Sequence, residues 1–366
     1  MKKSGLSRLY HIPVLSKALD VLELLQSQKQ SASLEDLHRE THFSKTTVYR
    51  ILRTLEHRGY LAHLEDGRYR SVSRPTKLRF GFAGQSEELP FSQAVTSSLK
   101  DAAIASGVEL IVLDNRYDGR IALHNAEQLI GEQVDLVIEF QIDQSIAPII
   151  ADKVAASGIP LIAVEIPHPH AIFFGVDNYR VGFVAGECLA HFAKKAWKGK
   201  INRVLGLDIQ EAGSLVQSRI TGGFEGIRHV LPNLPVEAFV TVDARGLSER
   251  SYQLTLEFLR RHPKDRGILI VAADDTSALG SLRAVKQLKR EKHVAIAGQD
   301  CLPEAMQEMK TLGTPLIASV SHEVHTYGPR LMQLGLALVR GQHVSPYHYV
   351  NHKLVTADIL GAASGW

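Results

Sequence analysis

From Lys77 onward the chain repeats one pattern: short, almost unbroken apolar runs separated by helical stretches. The first series runs LRFGFAG, VELIVLD, VDLVIEF, PLIAVE and FFGVDN, and the second runs RVLGLD, EAFVTVD, GILIVAAD and VAIAGQD. A strand that is apolar on both faces has to be covered on both faces, and strands alternating with helices build parallel sheets with helices on either side. Two such series predict an α/β structure of two lobes. The 366 residues, 45% of them hydrophobic, exceed one ordinary domain and fit a globular chain of two or three.

Residues 14 to 60 follow a different pattern. Leu15, Ala18, Leu19, Leu22 and Leu25 fall on one stripe at helical spacing, which predicts a buried face. Ser33 can cap a second helix, with Asp36 three residues on as an imperfect capping-box partner and Leu34 and Leu37 facing inward. After a turn at Thr41, His42 and Phe43, Ser44 can cap a third helix that turns Val48, Ile51, Leu52 and Leu55 inward. Its other side carries Lys45, Thr46, Thr47, Tyr49, Arg50 and Arg53. In a helix-turn-helix the N-terminal part of the second motif helix enters the major groove, where such side chains donate to bases and phosphates. The segments at 60 to 64 and 68 to 72, joined by Glu65-Asp66-Gly67, read as a hairpin wing that offers Arg68 and Arg70 to phosphate or the minor groove.

Charge separates this DNA reading from a merely solvated helical module. Residues 1 to 77 hold 14 Lys and Arg against 8 Asp and Glu, whereas the remainder holds 28 against 31. A basic head on a mildly acidic body is the footprint of a polyanion partner. The stretches VLSKALDVLELL, LEDLHRETHFSKTTVYRILRTLEHRGYL and DGRYR resemble the winged helix-turn-helix of IclR-type bacterial regulators over residues 12 to 73. The effector domain of that family does not follow them.

Ligands of open parallel sheets bind beyond the carboxyl ends of the strands. Glu165 ends one run, Asp274 and Asp275 end another, and Asp300 ends a third. Carboxylates accept from neighbouring hydroxyls and Arg219 supplies a complementary fork of donors, a mixture suited to a sugar or another polyol. Acidic strand ends also cap helices; that role is favoured for Asp275 and disfavoured for Asp300.

Residues 77 to about 358 are similar to the type I periplasmic binding proteins, particularly ribose-type members, and to the effector domains of LacI-type repressors. IPLIAVE, FFGVDNYRVGFVAGECLA, SRITGGFEG, IVAADDTSALG, VAIAGQD, ASVSHEVHTYG and PYHYVNHKLVT carry the likeness. It implies that Phe91 stacks on the ligand ring, that Arg219, Asp274 and Asp300 bind ligand, that His322 falls near a ligand-contacting Gln position, and that Glu165 takes the place of a hydroxyl-binding Asp. Ile166, Leu89 and Gly246 stand where ribose-type sites have Arg, Asn and roughly an aromatic residue, so ribose itself is not the expected ligand. Crossovers near 177, 321 and 351 would then form the hinge. The expected division is a head at 1–73, a linker at 74–77 and a ligand-binding domain at 78–366. Within that domain, lobe 1 takes about 78–178 and 322–351, and lobe 2 about 179–321 and 352–366.

Other chemistries lack their signatures. His168, His170, His322 and His325 have no metal-ligand spacing, the Gly81–Gly84 turn lacks the Lys-Ser/Thr of a phosphate loop, and no nucleophile elbow is present. No metal, cofactor or enzymatic activity is expected. Cys188 and Cys301 read as reduced structural thiols, and MKKSGLSRLYHIP has no apolar signal core, which predicts a cytoplasmic location. The expected protein is a ligand-responsive regulator, a homodimer on a pseudopalindromic DNA site. A transport or chemotaxis receptor is the alternative, but it needs a signal peptide and has no use for a DNA-binding head. A sugar-modifying enzyme tethered to DNA would need a catalytic set that is absent.

Overall fold

Two units divide the computed structural model, residues 1–77 and 78–366, and the structure describes residues 12–27, 31–72 and 77–361. Of the expected linker only Lys77 lies among the described residues.

The first unit holds α1 (Pro13–Ser27), α2 (Leu34–Thr41), α3 (Lys45–His57) and an antiparallel hairpin of β1 (Leu61–His63) and β2 (Tyr69–Ser71). Its core gathers Val21, Leu25, Leu37, Val48, Ile51, Leu52, Leu61 and Tyr69. Ser33 starts α2 with a complete capping box: Asp36 Oδ2 accepts from the Ser33 amide at 3.0 Å, and Ser33 Oγ accepts from the Asp36 amide at 3.2 Å. His42, in the left-handed region at φ 57°, ends the helix and turns the chain into α3. The α1 stripe departs from expectation. Val21 and Leu25 are buried with Ala18, Leu22 and Leu24 packed beside them, whereas Leu15 and Leu19 are 53% and 48% exposed. The two stripes share Ala18, Leu22 and Leu25, and the core engages mainly the C-terminal half of α1, so periodicity alone placed the buried face slightly off its axis.

The second unit begins with β3 (Arg79–Gly84), α4 (Pro90–Ser106), β4 (Glu109–Asp114), α5 (Gly119–Gly131), β5 (Leu136–Glu139), α6 (Ala147–Ala156), β6 (Leu161–Val164) and β7 (Ile172–Gly175). A second series follows: α7 (Asn178–Trp197), β8 (Arg203–Asp208), α8 (Gly213–Val230), β9 (Phe239–Asp243), α9 (Ser248–Arg261), β10 (Ile268–Ala272), α10 (Asp275–Gln287), β11 (Val294–Gln299), α11 (Pro303–Met309) and β12 (Leu316–Ser321). The chain closes with α12 (Tyr327–Val339), β13 (Tyr347–Tyr349) and β14 (Lys353–Thr356).

These strands form two sheets, ordered β13-β7-β6-β5-β3-β4 and β14-β12-β11-β10-β8-β9. The chain therefore passes between the sheets after β7, after β12 and after β13. Every pairing of the first sheet is parallel, and β5 and β6 are buried throughout, as near-continuous apolar strands require. The second sheet is parallel except at one edge, where β14 runs antiparallel to β12. Sequence pattern missed β12, β13 and β14: LIASVS mixes polar with apolar residues, and Tyr347 and Tyr349 sit exposed on a sheet edge. No helix among the described residues is long and apolar enough to cross a membrane.

Helices α7 and α8 touch backbone to backbone. A Cβ on Gly182 would lie 1.9 Å from the Arg219 carbonyl oxygen, and one on Gly222 would lie 2.1 Å from that of Tyr179. Only glycine permits this approach, and it seats the start of α8 under the strand ends of its lobe.

Candidate functional site

In the first unit, Ser44 caps α3 by accepting from the Thr47 amide at 3.3 Å. Thr46, Tyr49, Arg50 and Arg53 lie exposed, Tyr49 at 50%, and Thr47 is half-buried. Lys45 is exposed too but reaches Glu35 of α2 at 2.7 Å, and Arg53 pairs with Glu56 at 2.8 Å. The Lys45 ammonium, hydrogen-bonded to Glu35, holds that carboxyl below its ordinary range. Exposed pairs of this kind exchange readily for a phosphate partner, since each contributes little.

The wing differs from its expected form. Arg70 is exposed, but Arg68 turns back into its own unit: its Nε donates to Ser31 Oγ at 3.0 Å and to the Ser31 carbonyl at 3.1 Å, and Nη2 lies 3.8 Å from Asp36. Ser31 and Asp36 flank the start of α2, so the Arg68 fork ties the hairpin to the capping box. A guanidinium with two acceptors at the right spacing inside the fold is drawn there before any phosphate arrives.

In the second unit a cavity with about 90 Å³ of free space lies at the carboxyl ends of both sheets. A single water needs roughly 10–15 Å³ on that scale, so there is room for several waters or one small molecule. Phe91, Glu165, Arg219, Asp274, Asp300 and His322 all line it, and so do Leu89, Ile166 and Gly246. Residues that sequence reasoning missed complete the wall, notably Tyr117, Phe140 and Gln141. Phe140 and Gln141 directly follow the VDLVIE run, where a strand-end position could have singled them out; Tyr117 sits in a loop with no such signal.

Each carboxyl has a distinct setting. Glu165, at φ 63°, accepts from the Tyr327 hydroxyl at 2.5 Å, and its Oε2 stands 3.6 Å from Arg219 Nη2. Burial pushes its carboxyl up, and Arg219 opposes the shift. Asp274, not Asp275, caps α10: its extended backbone lets Oδ1 accept from the Ser277 amide at 2.6 Å. Asp275 is the first residue of the helix proper, fully buried, and accepts from Ser319 Oγ at 2.8 Å and the Leu302 amide at 2.9 Å. Asp300 caps nothing; at φ 97° its Oδ1 lies 3.2 Å from His322 Nδ1. Burial lifts its carboxyl to about 8, with Asp274 and Glu165 adding to the shift and Arg219 opposing it. His322 is pushed well below its ordinary range by burial and by Arg219.

Arg219 is 7% exposed and held on three sides. Nε donates to Asn178 Oδ1 at 2.7 Å and Nη1 to the Ala273 carbonyl at 2.8 Å, which leaves Nη2 toward Glu165. Phe91 stands edge-on to Phe140, His322 and Tyr327, with ring centroids 5.8–6.3 Å apart, so its ring is locked in place. Tyr117 reaches across: its hydroxyl donates to the Arg245 carbonyl of the opposite lobe at 3.0 Å, and the Gln144 amide donates to the Glu211 carbonyl at 3.0 Å. The lobes thus meet beside the cavity. Tyr117, Glu165 and Asp300 all hold positive φ. For residues other than glycine this costs of order 1–3 kcal/mol each and concentrates at binding sites. His168, by contrast, lies outside this wall, buried with Nδ1 2.9 Å from the Ile166 carbonyl oxygen, and no group of three or more potential metal ligands occurs among the described residues.

Comparison with known proteins adds two matching family models: a periplasmic binding protein domain over residues 80–343 and an IclR helix-turn-helix domain over residues 14–65. These are solute-binding and DNA-binding types rather than enzyme families. Similar solved structures include a carbohydrate transporter solute-binding protein from Agrobacterium radiobacter in complex with D-arabinose, 19% identical with a TM-score of 0.68 over 78% of this chain and 96% of that one. An ABC transporter solute-binding protein from Bacillus halodurans with bound myo-inositol is 20% identical, with a TM-score of 0.66 over 79% of this chain and 98% of that one. A periplasmic solute-binding protein from Actinobacillus succinogenes with bound D-allose is 18% identical, with a TM-score of 0.66 over 77% and 98%. Among curated proteins nothing matches. The structural likeness establishes the fold of residues 78–361.

Proposed function

The chain belongs to the periplasmic binding protein domain family, and from that premise we propose that it is a DNA-binding transcription regulator whose grip on DNA is set by a small polar effector, a sugar or polyol. One observation carries the reading. A helix-turn-helix with an exposed row of Thr46, Tyr49, Arg50 and Arg53 shares a chain with an interlobe cavity walled by Glu165, Asp274, Asp300 and Arg219.

In this reading Thr46, Tyr49 and Arg50 contact base edges, Ser44, Lys45, Thr47, Arg53 and Arg70 contact the backbone, and Arg68 sets the angle of the wing. The effector lies against Phe91 and is gripped by Arg219 and the carboxyls. It is known that the similar proteins with bound myo-inositol, D-allose and D-arabinose hold polyhydroxylated ligands; the same ligand class suits this acceptor-rich wall. Effector binding favours the closed lobes, and the DNA-binding state changes only to the extent that the effector binds closed and open lobes unequally. The protein works as a homodimer in the cytoplasm, because one winged helix reads too short a site for regulator-grade specificity. A transport receptor would leave residues 14–65 without a role.

The test is a thermal-shift screen of the full chain against sugars and polyols, joined to selection of bound duplexes from a random pool. A ligand at about 100 times its Kd stabilises the native state by about 2.7 kcal/mol, a readable shift. The reading requires both a stabilising ligand and an enriched duplex; enrichment of none would contradict it.

A further inference from the structure

The charges of the cavity do not balance, and this imbalance, which rests on the ligand-binding reading above, narrows the effector further. Glu165, Asp274 and Asp300 line the space, and Arg219 is the one Lys or Arg among its described wall residues. Arg219 already serves Asn178, the Ala273 carbonyl and Glu165. Asp274 gives Oδ1 to the Ser277 amide, and its Oδ2 lies close to Gly246, 3.0 Å from where a Cβ there would sit.

His322 supplies no compensating charge. Gln299 Nε2 donates to the Val181 carbonyl at 3.4 Å, which turns its Oε1 toward His322 Nε2 at 3.3 Å. Nε2 therefore carries the imidazole hydrogen, and the Nδ1 lone pair faces Asp300 Oδ1 at 3.2 Å. That contact is satisfied by a proton on Asp300. A proton thus neutralises a carboxyl that a ligand cation could neutralise instead. Two wall atoms are also buried without a hydrogen bond: the acceptor Glu165 Oε2, which has only the ion-pair contact with Arg219 Nη2 at 3.6 Å, and the donor Gln141 Nε2. Together they offer one acceptor and one donor, the pair a hydroxyl satisfies.

We propose that the effector is an amino-substituted sugar or sugar alcohol whose ammonium is held by Asp300 and Asp274 and whose hydroxyls engage Glu165 and Gln141. An ammonium has three donors and no acceptor, which complements acceptor-only carboxylates. Phe91, Phe140 and Tyr117 supply aromatic surface that also favours a cation over a neutral group. On binding, the proton leaves Asp300 for solvent and the ligand's ammonium pairs with the carboxylate left behind, so one positive charge replaces another and the net charge of the occupied cavity is unchanged.

The test is titration calorimetry of the full chain with D-glucosamine, D-galactosamine, D-mannosamine and 1-amino-1-deoxysorbitol, each beside its neutral parent and its N-acetyl form. The expected result is a preference of about ten-fold or more for one ammonium compound over both uncharged forms, as a charge-assisted contact implies. Its heat should depend on the buffer, reporting release of close to one proton at neutral pH. Asp300→Asn, shown folded by circular dichroism and by binding of DNA, should lose both the preference and the proton release. Equal or tighter binding of a neutral parent or an N-acetyl form overturns the ammonium assignment and leaves the sugar-binding reading standing. So does an undiminished preference in Asp300→Asn. Binding of no compound in either set overturns both.

Discussion

Arg50 and Arg219 are the same residue type put to opposite uses. Arg50 lies exposed on α3, where water solvates its charge until a phosphate or base replaces the water. Arg219 is buried with its donors committed to Asn178, Ala273 and Glu165, so in the proposed reading the contacts that support the fold of the second unit are also those that would orient a ligand. Exposed binding residues can be removed at a cost to binding alone; buried ones cannot be removed without a cost to stability as well.

The sharpest break in that comparison is Arg219→Ala. It leaves Glu165 without a charged partner in a buried setting, where removing one member costs roughly 3–5 kcal/mol. Urea unfolding of the second unit should shift by that amount and effector binding should vanish, while the head still binds DNA. Unchanged unfolding would mean that Arg219 is not part of the fold's support. Gly182→Ala tests how Arg219 is seated. Its Cβ would meet the Arg219 carbonyl at 1.9 Å, so α7 and α8 have to part; overpacking of this kind costs about 1–3 kcal/mol. Calorimetric melting should fall and effector affinity with it, whereas loss of affinity without loss of stability would point to a direct ligand contact instead.

In the head, Arg50→Ala should weaken binding to a selected duplex by about 1–3 kcal/mol if Arg50 contacts a base, with the melting of the head unchanged. Arg70→Ala should weaken all duplexes alike and reduce the salt slope by about one. Arg68→Ala should do neither in the first instance. It unties β2 from Ser31 and Asp36, so thermal melting of the head should fall by the roughly 1 kcal/mol typical of a net hydrogen-bond loss, which separates a structural arginine from its exposed neighbour.

A further effect is set by pH. The folded Asp300 carboxyl sits at about 8, above its value of roughly 4 in an unfolded chain. The native state therefore holds this proton more tightly, and the stability it contributes is full below pH 4 or so, declines between about 4 and 8, and is gone above. Asp300→Asn removes the titration. Its melting temperature should exceed the parent's most at alkaline pH, and the gap should close toward pH 4; a gap that widens with acid would reverse the assignment.

The head was nearly all legible in sequence because its logic is local. Caps at Ser33 and Ser44, the inward row Val48, Ile51 and Leu52, and the outward Arg50 all follow from spacing within one helix or its neighbour. What escaped was non-local: Arg68 meets Ser31 across 37 residues of chain, and no pattern announces that contact. The cavity shows the same limit. Strand ends pointed to Glu165, Asp274 and Asp300, but the cap of α10 fell on Asp274 rather than Asp275, because capping depends on a backbone angle one residue wide. Tyr117 was invisible, since its role arises only where its loop meets Arg245 from the other lobe.

The measurement closest to the central claim is fluorescence anisotropy of the full chain on a duplex it has itself selected, titrated with the compound that stabilises it most in the thermal screen. The account expects the apparent DNA affinity to change by about ten-fold or more, since coupling energies of this kind are commonly 1–3 kcal/mol, and expects Asp300→Asn to bind the duplex as before but to ignore the compound. A DNA affinity that stays constant through saturation with the stabilising compound would contradict it.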